Sequence, residues 1–145
     1  MAPSFNPKTG LYYFNVREGC DTFYSKSPVF KEGTSYWATS ARAEADEHQK
    51  GRVTAINPLT GETKWSVPFK EPRHVDQIGG ILTTAGNLLF VGDRSDFLAL
   101  DARNGNELWR INLGGNINAN PISYAVGGEQ MVAIAAGNSL FVFKL

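Results

Sequence analysis

The chain has 145 residues, 42% of them hydrophobic and 19% charged, enough for one domain with a buried core. Fourteen basic and 14 acidic side chains cancel, so no basic surplus directs the chain to nucleic acid and no run of one sign marks a disordered tail. A single cysteine, Cys20, excludes an internal disulfide and a Cys/His metal site, and no apolar run approaches the roughly 20 residues of a membrane span.

The chain begins with MAPSFNPKTG, which is polar and Pro-rich and is not a signal peptide. Short, aromatic, β-prone stretches follow: LYYFNV (Leu11–Val16), DTFYS (Asp21–Ser25) and TSYWAT (Thr34–Thr39). TSARAEADEHQK, Thr39 to Lys50, holds good helix formers but no apolar stripe at helical spacing, so it reads as a long solvated loop. RVTAIN (Arg52–Asn57), TKWSVPF, GILTTA, NLLFVGD, DFLALD, NELWRINL, PISYAV, QMVAIAA and SLFVFKL complete the series. Gly, Asn, Pro or Asp separates them, which predicts an all-β, antiparallel protein.

A repeat selects the architecture. AINPLTGETKW, Ala55 to Trp65, returns as ALDARNGNELW, Ala99 to Trp109. Ala55 and Ala99, Gly61 and Gly105, and Trp65 and Trp109 each stand 44 residues apart. AGNLLFV at Ala85 returns as AGNSLFV at Ala136, and NPKTG at Asn6 as NPLTG at Asn57, both 51 residues on. A period near 40–45 residues with four strands per unit is the mark of a β-propeller blade. A little over three such units fill the chain, an incomplete propeller, with approximate divisions at 1–50, 51–94 and 95–145.

In the repeated phrase the small Ala ends an inner strand, and Asn57 or Asp101 bonds backbone groups of the turn. The Gly accepts a positive φ. The Trp stacks on the neighbouring blade and donates its indole N–H there. Ala55, Gly61, Trp65, Ala99, Gly105 and Trp109 are thus expected to join blades.

The phrase resembles the tryptophan-docking motif of the quinoprotein alcohol and methanol dehydrogenases. Four long stretches are similar to that family's C-terminal third, in order: Pro3–Cys20, Gly51–Trp65, Gly79–Trp109 and Asn120–Leu145. The resemblance covers nearly the whole chain. It implies an eight-bladed propeller that binds pyrroloquinoline quinone (PQQ) and calcium, oxidises an alcohol, passes electrons to an acceptor, and works in the periplasm. It also implies that this chain is cut from a longer gene, that its partner is the remainder of its own propeller, and that the catalytic base and calcium ligands lie upstream. No catalytic or metal-binding residue is therefore assigned here, and the chain alone is expected to be inactive.

The family tends to place a Trp against the quinone just before a Gly pair. Here that position is Ile78, followed by Gly79 and Gly80, and these three are the cofactor-binding candidates. The departure at Ile78 keeps a second reading open, a non-enzymatic propeller with PQQ-like repeats that binds protein partners. A third is an interaction module that self-associates through open strand edges.

Other clusters have two readings each. His74, Asp76 and Gln77 could form a base or ligand set, since His74 and Asp76 share a face of an extended strand, or a polar loop at the propeller mouth. Asp93, Arg94 and Asp96 suit a metal turn or a solvated hairpin tip. Glu44, Asp46, Glu47 and His48 suit a cation loop or a solvated face. Trp37 and the aromatics of GLYYFNV suit a stacking platform or core. GGNINAN, Gly114 to Asn120, precedes a strand rather than a helix, which argues against a phosphate cradle.

Overall fold

The computed structural model describes residues 2–19, 22–25, 29–36, 39–42, 50–70 and 79–145. Among these, no helix is long and apolar enough to cross a membrane. Thirteen strands, all paired antiparallel, make up the described regular structure.

The first sheet joins β1 (Ser4–Asn6), β2 (Leu11–Glu18), β5 (Lys50–Ile56) and β6 (Thr63–Pro68), in that order. Between β2 and β5 a separate hairpin pairs β3 (Thr22–Ser25) with β4 (Thr39–Arg42). The second sheet runs β10-β9-β8-β7, from β7 (Ile81–Thr83), β8 (Leu88–Asp93), β9 (Asp96–Asp101) and β10 (Glu107–Asn112). The third joins β11 (Ile122–Val126), β12 (Glu129–Ala136) and β13 (Ser139–Lys144). The sheets thus fall at residues 4–68, 81–112 and 122–144, so a unit counted from Gly51 begins inside the first sheet and ends at the close of β8.

Alternation along the strands sets the packing. Leu11, Tyr13, Val53 and Ala55 on one face of the first sheet meet Ile81, Leu89, Val91, Leu98 and Leu100 of the second. The opposite face of the second sheet, with Phe90, Phe97 and Ala99, meets Val132, Ile134 and Ala136 of the third, with Ile117 between. The middle sheet is buried on both faces. That is why NLLFVGD and DFLALD read as continuous apolar runs rather than alternating ones.

The sequence reading needs four corrections. Thr34–Tyr36 is not strand, because the Thr34 amide and hydroxyl both bond the Lys31 carbonyl, at 3.3 and 2.7 Å, and close a turn. Thr39–Arg42 is strand, not loop, since pairing with β3 overrides the helix propensity of its residues. Ser4–Asn6 forms an unforeseen short strand. The last sheet has three strands where four are expected.

Candidate functional site

The repeated turns have one geometry. In each, the side-chain oxygen of the first residue accepts the amide two residues on, from Lys8 to Asn6, Leu59 to Asn57 and Arg103 to Asp101, all at 2.9 Å. The amide of the glycine four residues on bonds the first residue's carbonyl, at 2.9 Å for Gly10 and 2.8 Å for Gly61 and Gly105. All three glycines have φ between +67° and +78°. A residue that accepts one amide with its side chain and another with its carbonyl leaves the chain little choice of turn.

The seam between the first two sheets gathers on that third turn. Trp65 Nε1 donates to the Ala102 carbonyl at 3.1 Å, and the same oxygen accepts the Tyr13 hydroxyl at 2.9 Å. The indole lies so close over Gly105 that a Cβ there would sit 2.8 Å from Trp65 Cε3. Burial raises the Tyr13 phenol above its ordinary pKa, opposed by its hydrogen bond to Thr9. Trp109, the repeat partner of Trp65, is 39% exposed and stands edge-on to Phe97 and Phe143.

A second cluster forms where β1, β7 and β11 begin. The Ile81 amide bonds the Ala2 carbonyl at 3.0 Å. Asn15 Nδ2 bonds the Gly79 carbonyl at 2.9 Å, and Ser4 and Thr83 share a 2.7 Å hydroxyl contact. A Cβ on Gly79 would stand 2.7 Å from the Ala119 carbonyl, and one on Gly80 would strike Asn120 Oδ1. The glycine pair therefore lets three strand starts converge without side chains between them. Asn15 is the participant that the sequence reading misses. Its available signal is a polar residue on the odd-numbered, buried side of an otherwise apolar strand.

Of the sequence candidates, Gly79 and Gly80 lie in this cluster. Ile78, His74, Asp76, Gln77, Glu44, Asp46, Glu47, His48, Trp37 and Cys20 lie outside the described residues.

The charged hairpin differs from the solvated tip expected of it. Asp93 is buried, and its Oδ2 accepts the Lys70 amide at 3.1 Å. Arg110 closes the cluster from β10, 2.7 Å from Asp96, 2.7 Å from Glu107 and 3.6 Å from Asp93. Its hydrogen bonds hold the Asp96 and Glu107 carboxyls below the usual carboxylate range. A cation is already supplied by the chain, and no group of three or more metal-ligating side chains occurs among the described residues.

Face-to-face antiparallel sheets in chain order, seamed by a repeated Trp, define part of a β-propeller. The glucose/ethanol/alcohol dehydrogenase β-propeller (PQQ) domain matches residues 51–132, and the chain belongs to that family. It is 30% identical over 137 residues to quinoprotein alcohol dehydrogenase PedE of Pseudomonas putida, a match that covers 92% of this chain and 21% of the relative. It is 31% identical to the 1-butanol dehydrogenase (quinone) of Thauera butanivorans, with the same coverage. Quinohemoprotein alcohol dehydrogenase from Comamonas testosteroni superposes with a TM-score of 0.77 at 29% identity, over 96% of this chain and 22% of that one. A europium-containing methanol dehydrogenase superposes at 0.76 with 27% identity, over 91% of this chain and 23% of that one. The chain thus spans about a fifth of the length of these relatives.

Proposed function

We propose that this chain is the C-terminal part of a PQQ-dependent alcohol dehydrogenase and supplies propeller sheets and one wall of the cofactor cavity. The observation that carries the reading is the convergence of three strand starts on Gly79 and Gly80, directly after the position where the resembled family sets a Trp against the quinone. Bound there, the quinone would accept the electrons of alcohol oxidation. The part played by Asn15 is to hold the Gly79 carbonyl, and with it the start of β7, in place. Trp65 and Gly105 would act as the docking pair that keeps adjacent sheets in register.

The metal is a separate matter. Among the described residues no donor set fits calcium, and the only clustered carboxylates are neutralised by Arg110. No step is assigned to a metal on this chain, and in the parent enzyme its ligands would come from upstream. Periplasmic location, an external electron acceptor and a primary alcohol as substrate belong to the same reading. So does inactivity of the isolated chain.

Left without the rest of the propeller, the chain should associate with itself. Ile122, Tyr124, Val126, Leu140 and Val142 are exposed on one face of the third sheet, and β13 ends that sheet as an unpaired edge. Concentration-dependent mass by light scattering tests this, and a sharp monomer at high concentration refutes it.

The test of the main reading is a titration with PQQ and calcium, followed by quenching of Trp65 and Trp109. Saturable quenching supports a cofactor wall on this chain. No quenching from a folded sample removes the wall from the reading and favours the non-enzymatic propeller, the reading that the Ile at position 78 keeps open.

A further inference from the structure

We infer that Asn15 and Arg17 form a receptor for a carboxylate that carries a neighbouring O–H or N–H. The two side chains are two residues apart on β2, roughly 7 Å along the strand, on the face shared with Leu11 and Tyr13. That face looks toward the second sheet, as the bonds from Tyr13 to Ala102 and from Asn15 to Gly79 show. Both side chains carry a buried polar atom with no hydrogen-bond partner among the described residues: Asn15 Oδ1, an acceptor, and Arg17 Nε, a donor. Asn15 itself is more than nine-tenths buried.

The amide of Asn15 cannot turn to relieve this. Its Nδ2 is committed to the Gly79 carbonyl at 2.9 Å, so Oδ1 is held in the opposite direction. Arg17 has no carboxylate partner among the described residues. Its neighbour Glu18 pairs with Arg52 at 2.5 Å. The residue in register with Arg17 is Gly51, which offers no side chain to fill the space opposite.

Buried donors and acceptors are normally satisfied, and an orphan of each kind two residues apart on one strand face specifies the missing ligand. It must accept from a guanidinium, for which a carboxylate is the matched shape, and donate to an amide oxygen. A hydroxy acid has both groups on adjacent carbons. So does the rim of PQQ, a polycarboxylate with a pyrrole N–H beside one carboxyl. With the cofactor as ligand, the inference rests on the function proposed above; with a free hydroxy acid it stands without it.

The experiment is a titration of the chain with glycolate, acetate and PQQ, read from the Arg17 Nε–H and Gly79 amide resonances. A thermal melt of each variant controls for folding. Glycolate should shift both resonances, and acetate, lacking the hydroxyl, should bind several-fold more weakly. Arg17→Gln should weaken glycolate by about tenfold or more, Arg17→Lys should restore part of that loss, and Asn15→Ala should erase the preference over acetate. Competition of PQQ with glycolate, lost in Arg17→Gln, assigns the site to the cofactor. Glycolate binding without competition assigns it to a free hydroxy acid and counts against the quinone reading alone. PQQ quenching that is equal in the native chain and Arg17→Gln, with no glycolate shift, overturns the inference and leaves the quinone reading standing. A folded chain whose resonances respond to none of the three overturns the inference as well.

Discussion

Trp65 and Trp109 occupy the same place in the same phrase, yet they are held differently. Trp65 has a receiving turn on the next sheet, which offers a flat glycine and the Ala102 carbonyl. Trp109 faces the third sheet and meets the edges of Phe97 and Phe143 instead. A docking side chain is therefore only half of a device. The other half is the turn of the following sheet, and the energy of the contact depends on both.

The largest expected effect is a difference between the two tryptophans. Trp65→Ala removes a ring packed on Tyr13 and Gly105 together with its hydrogen bond, and should cost about 3–5 kcal/mol. Trp109→Ala removes a half-exposed ring with edge contacts only, and should cost about 1–2 kcal/mol. Urea denaturation of both variants measures the gap. Equal losses would mean that the turn contributes nothing and that ring area alone decides.

The glycines sharpen the comparison from the other side. Gly61 and Gly105 have almost the same φ, +74° and +78°, so the backbone strain of an alanine is shared. Nothing stands within 4 Å of a Cβ at Gly61, whereas at Gly105 it would lie 2.7 Å from Val67 Cγ2 and 2.8 Å from Trp65 Cε3. Gly61→Ala should cost about 1–2 kcal/mol, and Gly105→Ala about 2–4 kcal/mol, since overpacking adds to the strain. In a Trp65→Ala background only part of the excess at Gly105 should vanish, because the contact with the indole is gone while Val67 Cγ2 still stands 2.7 Å away.

These contrasts mark how much is legible in the sequence. The 44-residue repeat singles out Gly61, Gly105 and both tryptophans, and of these the structure joins Trp65 to Gly105. It does not expose Ala102, which acts through a backbone carbonyl that any residue carries. Nor does it expose that Trp109 meets ring edges where Trp65 meets a turn, which is a property of the neighbouring sheet and not of the motif. Most strands are legible from β-prone runs between turn residues. β4 is not, because Ala and Arg prefer helix and only pairing with β3 overrides them. Of the site, Gly79 and Gly80 are legible by resemblance. Asn15 and Arg17 are not, since a polar residue on a strand declares its face only when the register and the opposite sheet are known. Asp93 shows the same limit. A GDRSD turn reads as solvated until Lys70, just past β6, and Arg110, within β10, are seen to cover it.

That last cluster yields the smallest expected effect, and one whose sign is set by pH. Arg110 lowers the Asp96 and Glu107 carboxyls in the folded state. A depressed folded pKa contributes stability that is fully present above the unfolded value, near pH 4, and is lost as pH falls through the folded value. Arg110→Met should therefore cost about 2 kcal/mol at neutral pH, less than a fully buried pair because Glu107 is half in water, with buried Asp93 losing the guanidinium 3.6 Å away. Once pH has fallen below the depressed folded values the two proteins should converge, since Asp96 and Glu107 are then protonated in both. Thermal melts from neutral pH downward measure this. A gap that stays constant with pH would show that Arg110 acts by packing its stem against the strand and not by its charge, which would turn the seam at Asp93 from an ion cluster into a steric one.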